Sequence, residues 1–226
     1  SIMKKKIFAI VALLGGMVLF AGCVEEEQTN NDIYRPVGEA ISFSASTAYD
    51  NGPAGETVSF VTGEENSPET RTVYSGKLYG SSNPYERIDW VSTDKVKIVY
   101  SHGSATSSEY GMGTISGTAD ENSYAAITSS SPLTWSAGSG DHVFYAIYPA
   151  PSQNAAASLS NAGHVSGTIP SSQTITLTNV TDISGTTVPK YLPDMDNAYM
   201  VSKKTVAASS TVNSVELPFR PAFTAF

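Results

Sequence analysis

From Ala40 onward the chain repeats one pattern: a short run of β-branched, aromatic and alternating apolar residues, a break of Gly, Pro, Ser or Asn, then another run. Few folds satisfy that cadence. Runs of about 4–8 residues with period-two alternation are half-buried strands, whereas a helix needs apolar residues at three- and four-residue spacing over a longer window. No stretch has convincing helical periodicity. Strands are therefore predicted over Ile41–Thr47, Thr57–Thr62, Thr72–Tyr79, Arg87–Val91, Lys95–Tyr100, Ser123–Thr128, His142–Tyr148, Gln173–Val180, Ala198–Ser202 and Val212–Leu217. The expected fold class is all-β, a sandwich or barrel.

Alternation also assigns faces. Val96, Ile98 and Tyr100 share one side of their strand, and Ile175 and Leu177 point oppositely to Thr174, Thr176 and Thr178, so each strand is expected to have one wet face. Val143–Tyr148 is apolar on both sides and should be a central strand, ended by Pro149 and Pro151. Segments 101–108, 136–140 and 151–163 are rich in Gly, Ser, Ala or Pro and read as loops.

Composition supports this reading. Only 15% of the 226 residues are charged, about a quarter are Ser or Thr, and 18 Gly and 12 Pro punctuate the chain. A helical protein would place far more Glu, Lys, Leu and Arg on its solvated faces. An aromatic content of 10% opposes disorder. The net charge of −8 supplies no basic stripe to displace counterions from phosphates, so nucleic acid is not an expected partner. A single cysteine excludes an internal disulfide.

That cysteine lies in an informative place. Met3 and Lys4-Lys5-Lys6 precede an apolar run from Ile7 to Phe20, and Ala21-Gly22-Cys23 follows, which is the basic, apolar and small-residue order of a secretion signal. At 1.5 Å per residue the run falls short of the roughly 30 Å hydrocarbon core. Small residues directly before Cys23 resemble the lipobox of bacterial lipoproteins, in which the thiol is acylated and becomes the first residue after cleavage. Several acyl chains, at about 0.8 kcal/mol per buried methylene, hold a protein on a membrane. The acidic Glu25-Glu26-Glu27 behind Cys23 resembles an export signal to the outer face of an outer membrane, and otherwise reads as a solvated tether. The expected organisation is a lipoprotein signal peptide over 1–22, an acidic and polar tether over 23–39, an N-terminal β domain over 40–206, and a linker with the first strand of an incomplete second domain over 207–226.

A search for catalytic chemistry returns little. His102, His142 and His164 are separated in sequence, with no second ligand at a metal-binding spacing. There is no Gly-x-Ser-x-Gly elbow for a serine nucleophile. Gly111, Gly113 and Gly117 are not spaced as a phosphate loop and read as turns. Asp194-Met195-Asp196-Asn197 begins like a calcium loop but lacks its glycine and bidentate Glu, and Asn179-Val180-Thr181 matches an acceptor sequon. No catalytic residue, metal or cofactor is expected. Trp90, Trp135 and the tyrosines offer a carbohydrate-stacking surface as an alternative to a place in the core.

Several segments together resemble the fimbrillin family of lipoprotein pilus subunits. Ile41-Ser42-Phe43-Ser44 is similar to the family's first strand and Thr70-Arg71-Thr72 to the Thr-Arg element after it. Trp90–Ile98, with Asp94, Val96 and Ile98, resembles a Trp-x-x-Gly-Asp-x-Ile-x-Ile element in which Thr93 takes the glycine position. Phe144–Pro149 resembles a Tyr-x-Ala-x-Tyr-Pro element, and Val215–Phe226 the opening strand of a second domain. The resemblance implies two β-sandwich domains of transthyretin-like topology and a structural or adhesive fimbrial subunit without catalysis. It also implies a precursor lipidated at Cys23, cut by an arginine-specific protease at Arg71, and assembled when a neighbouring subunit's segment replaces the first strand. Arg35 is the poorer processing site because Pro36 follows it. Ile41, Phe43 and Ala45 are the implied groove-filling face. The implied partners are other fimbrial subunits, the outer membrane through the lipid anchor, and a host protein or glycan. The competing class is a glycan-binding surface lipoprotein that does not polymerise.

Overall fold

The computed structural model describes residues 37–47, 58–63, 73–79, 85–116, 123–171, 175–182, 184–193, 198–208, 210 and 212–222. The expectations for Cys23, Arg35, Arg71, Gly117 and 194–197 lie outside them. Among the described residues every regular element is a strand, in agreement with the all-β reading.

Seven strands form the central structure: β1 (Ser42–Thr47), β5 (Lys95–Ser101), β6 (Thr106–Ser116), β7 (Tyr124–Thr128), β8 (His142–Tyr148), β13 (Met200–Val206) and β14 (Ser214–Pro221). They close into a barrel in the order β1-β14-β13-β8-β5-β6-β7. Every pairing is antiparallel except that between β1 and β14, which run parallel. The all-β class is thus as expected, and its described form here is a closed seven-stranded barrel. β1 pairs along both edges, to β14 on one side and β7 on the other, and so joins what would otherwise be the two free edges of an open sheet.

Alternation explains what fills the barrel. Phe43 and Ala45 from β1, Val96, Ile98 and Tyr100 from β5, Tyr110 and Met112 from β6, and Ala125 and Ile127 from β7 belong to one buried cluster. Phe144, Ala146 and Tyr148 from β8, Met200 and Val206 from β13, and Val215, Leu217 and Phe219 from β14 complete it, with Trp90 and Trp135 buried beside them. The segment expected to open a second domain therefore lies in this barrel: β14 runs beside β1 and contributes three core side chains. All described residues belong to one compact unit, Tyr34–Phe226.

The outward faces of β5, β8 and β13 are covered as well. β2 (Val58–Gly63), β9 (Ser158–Leu159) and β10 (Val165–Pro170) form a three-stranded sheet in the order β2-β10-β9. Val99, Ile147 and Val201 on the barrel meet Leu159, Val165, Ala157 and Tyr199 in a second apolar cluster. β8, apolar on both sides, lies between β5 and β13 with this layer over its outer face, as its sequence requires. By contrast, the expected wet face of β5 is only partly wet, because Val99 is buried under that layer. Inside the layer Asn154 donates from Nδ2 to the Tyr199 hydroxyl at 3.1 Å, and the Thr168 N–H donates to the same oxygen at 3.2 Å.

The remaining strands, β3 (Val73–Tyr79), β4 (Tyr85–Asp89), β11 (Ile175–Thr181) and β12 (Thr187–Pro193), form a sheet in the order β12-β11-β3-β4. Ile175 and Leu177 are exposed on it rather than packed inward. β6, β9, β10 and β12 were not among the expected strands. Gly111 and Gly113, expected as turns, lie within β6. At Gly113 a side chain is excluded because a Cβ would stand 2.7 Å from the Ala126 carbonyl oxygen of β7, beside a register shift between Met112 and Ile115.

Candidate functional site

β1 makes the one parallel pairing of the barrel, to β14, and an antiparallel one to β7. β1 pairs with β14 over Ser42↔Ser214 to Thr47↔Phe219 and with β7 over Phe43↔Ile127 to Ser46↔Tyr124. The fastening continues upstream of the strand. Gly38 N–H donates to Trp135 O at 2.8 Å, Trp135 N–H to Glu39 O at 3.0 Å, and Ile41 N–H to Leu133 O at 2.8 Å. At the other end Thr47 N–H donates to Ser123 O at 2.9 Å, and Ser123 N–H returns to the Thr47 hydroxyl at 3.0 Å.

Alternation sends Phe43 and Ala45 into the barrel, with Ile41 buried at its mouth. The Phe43 ring meets Tyr110 edge-on at 5.2 Å and Phe144 edge-on at 5.3 Å, a geometry that favours aromatic pairs beyond their burial. Ser44 and Ser46 occupy the opposite face, and Ser46 Oγ donates to Glu216 Oε1 at 2.8 Å. Without β1, the barrel would present the backbone edges of β7 and β14 and an apolar slot the width of one strand.

Each end of β1 adjoins a buried tryptophan corner. Beside Thr47, Ser123 Oγ accepts the Trp90 N–H at 3.1 Å, and the Trp90 ring packs edge-on against Tyr148 and Phe219. The turn after Trp90 is closed by Asp94, whose carboxylate accepts the Val91 N–H at 2.8 Å and the Tyr148 O–H at 3.0 Å. Burial pushes the Asp94 carboxyl up to about 6, against the pull of the hydrogen bonds from Val91 and Tyr148.

Beside Gly38 and Glu39 stands Trp135, edge-on to His142 and Phe144. The Tyr100 hydroxyl and His142 Nδ1 are hydrogen-bonded in the buried interior, and the Ser136 N–H donates to the same hydroxyl at 3.3 Å. His102, distant in sequence, lies stacked on His142 with ring centroids 4.0 Å apart, while His164 belongs to the separate turn after β9. Pairing of β5 with β8 brings the first two histidines together, and no spacing in the sequence announces it. The Asp141 carboxylate accepts the Ala208 N–H at 3.1 Å, and His102 Nδ1 lies 3.2 Å from the Asp141 backbone oxygen. Among the described residues no three His, Cys, Asp or Glu side chains are grouped to hold a metal ion.

Of the residues singled out in the sequence, Ile41, Phe43 and Ala45 thus share the inner side of one doubly paired segment, and Trp90 and Trp135 are core residues rather than an exposed aromatic platform. Phe43 and Ala45 lie on one extended segment paired along both edges, to β14 and to β7. Compared with family models, curated proteins and solved structures, the chain finds no match.

Proposed function

We propose that this chain is a lipid-anchored surface subunit of the fimbrillin type, structural or adhesive rather than catalytic, that assembles by exchanging its first strand for a segment of a neighbouring subunit. The observation that carries the reading is the position of β1: the first described strand, parallel to β14 and antiparallel to β7, which inserts Phe43 and Ala45 into the core. Exchange at such a position satisfies the backbone groups of both edges and refills the apolar slot. Five or six ladder bonds at about 1 kcal/mol each and three buried side chains at about 2 kcal/mol each stabilise the joint by on the order of 10 kcal/mol. In this reading the barrel is a flattened sandwich of transthyretin-like topology whose two layers are joined through β1.

Arg71 is the proposed processing residue because of what lies before it. A cut there detaches β1 together with β2, and so vacates two places at once, the slot between β7 and β14 and the parallel partner position of β10. A cut at Arg35 leaves both strands attached and opens neither. Anchoring is proposed at acylated Cys23, with other fimbrial subunits as partners. The alternative of a glycan-binding lipoprotein that does not polymerise draws less support, since Trp90 and Trp135 plug the barrel and are not available for stacking on sugar.

The deciding measurement is the N-terminus and mass of the protein from intact cells, in membrane-bound and sheared surface fractions. Strand exchange expects acylated Cys23 on the membrane form and Thr72 at the start of the sheared form, which runs as a ladder of detergent-resistant oligomers. Acylated Cys23 alone in every fraction overturns polymerisation. An Arg71→Ala chain that still loses its first strand overturns the choice of Arg71.

A further inference from the structure

Two histidines far apart in sequence sit together at the end of the barrel where the chain enters β1. Residues 38–41 precede that strand and pair with residues 133–135: Gly38 N–H with Trp135 O, Trp135 N–H with Glu39 O, Ile41 N–H with Leu133 O, and a bridge between Ala40 and Thr134. Side chains fix this short ribbon to the barrel. Leu133 and Trp135 are buried, and the Leu133 N–H donates to the Tyr110 hydroxyl at 2.7 Å. The Trp135 ring lies edge-on to Tyr100, His142 and Phe144. Lifting 133–136 would withdraw that ring and the Ser136 N–H, and so let water reach His142.

The hydrogen bonds assign the ring hydrogens of the pair. The Tyr100 hydroxyl oxygen accepts the Ser136 N–H at 3.3 Å, which leaves its hydrogen to donate to His142 Nδ1. His142 is therefore neutral, with its hydrogen on Nε2. The Asp141 backbone oxygen can only accept, so His102 Nδ1, 3.2 Å away, is the donor there. An added proton has two places to go: Nε2 of the half-buried His102, or Nδ1 of His142, which is 1% exposed. The second choice takes the acceptor from the Tyr100 hydrogen and places an imidazolium in a buried corner, its ring centroid 4.0 Å from that of His102. The other charged groups around the corner do little to offset it. The Asp141 carboxylate is engaged by the Ala208 N–H, Glu39 is exposed, and Lys204, opposite Phe144 on β13, carries a like charge.

We propose that the stacked His102–His142 pair is an acid-sensitive latch on the segment leading into β1: the closed corner takes at most one proton and the opened corner takes two, so acidification releases residues 38–41 from 133–135. A histidine kept neutral only in the closed state stabilises that state above the ordinary imidazole value of about 6.5, and the contribution is lost as pH falls below it. With His142 titrating near 6.5 when opened and staying neutral when closed, the opening constant rises roughly twentyfold from pH 7 to pH 5. At the other end of β1 the sign is reversed, because the buried Asp94 carboxyl beside Trp90 favours the folded state when protonated. The latch thus acts on one end of the strand. It stands whether or not subunits exchange β1, since it concerns only the native contacts of residues 38–41.

The test is amide hydrogen exchange in the full chain, followed by NMR and corrected for the intrinsic exchange rate at each pH. Protection at Gly38, Ile41 and Trp135 should fall roughly twentyfold from pH 7 to pH 5, while protection at Thr47, bonded to Ser123 at the other end of β1, should not fall. His142→Asn, whose Oδ1 can accept the Tyr100 hydrogen but takes no proton, should abolish the fall. The ring ¹⁵N signals of His142 keep the proposal testable if that variant does not fold: in the native chain they should remain those of a neutral Nε2–H ring down to pH 5. The proposal is overturned by a doubly protonated His142 in a chain whose Gly38 and Trp135 amides stay protected. Protection indifferent to pH, an equal fall at Thr47, or a fall of the same size in His142→Asn overturns it as well.

Discussion

The Tyr148 hydroxyl donates to the buried Asp94 carboxylate at 3.0 Å, tying the last residue of β8 to the turn that precedes β5. The bond compensates only part of the cost of burying that charge, and the Asp94 carboxyl titrates near 6 instead of 3.8. The sign follows from linkage. A carboxyl raised in the folded state favours folding when protonated, and the contribution is present below about pH 3.8 and lost as pH rises through about 6. Relative to Asp94→Asn, the native chain should lose on the order of 3 kcal/mol of stability between pH 4 and pH 7.5. Urea denaturation of both proteins across that range checks it, and parallel profiles would sink the assignment.

Phe43 supplies the side chain that β1 inserts between Tyr110 and Phe144. Phe43→Ala should cost about 3–5 kcal/mol, because the loss of burial is joined by a cavity between two rings that cannot collapse inward. Ser42→Ala, one residue away on the exposed side, should stay within about 0.5 kcal/mol. Chemical denaturation of the pair separates a strand held by its side chains from one held by its backbone alone. A cost below about 1 kcal/mol for Phe43→Ala would mean the slot is not built around that ring.

Gly111 and Gly113 look alike in the sequence and should behave oppositely. A Cβ at Gly113 meets the Ala126 carbonyl oxygen at 2.7 Å, whereas one at Gly111 meets nothing within 4 Å. Gly113→Ala should destabilise by about 1–3 kcal/mol as β6 is forced off β7. Gly111→Ala should be neutral or stabilising by about 0.5 kcal/mol, since it restricts the unfolded chain. Thermal midpoints that shift alike for the two variants would contradict the close approach of these strands.

What the sequence discloses about this fold is period, and what it conceals is register. Val143–Tyr148 announces a strand covered on both sides, and the alternation of Ile41, Phe43 and Ala45 places them together on one side of β1, because both follow from residues two apart. The neighbours of β1 cannot be read that way: Phe43 pairs with Val215 and with Ile127, and nothing within β1 names either partner. The same long-range pairing conceals the stacking of His102 on His142 and the place of β14 in the barrel. β6 is hidden for a different reason, since its Gly and Ser residues weaken strand propensity and resemble turns until the packing of β7 against it is known. At Ile175 and Leu177 the period is legible but the direction is not, because alternation distinguishes two faces without saying which one meets the body of the protein.

Ser202 offers a test of the barrel interior. It lies on β13 between Met200 and Val206, on the inward parity, opposite Ala146 of β8, and its buried hydroxyl has no hydrogen-bond partner among the described residues. An unsatisfied hydroxyl in an apolar interior costs about 1–3 kcal/mol, whereas deleting one oxygen leaves a void far smaller than a side chain. Ser202→Ala should therefore stabilise the protein by about 1 kcal/mol, raising the urea midpoint with an unchanged slope. The size of the gain reads the polarity of the barrel's centre directly. A loss of stability on the same substitution would show that the hydroxyl is hydrogen-bonded in solution and that the barrel's interior is not dry.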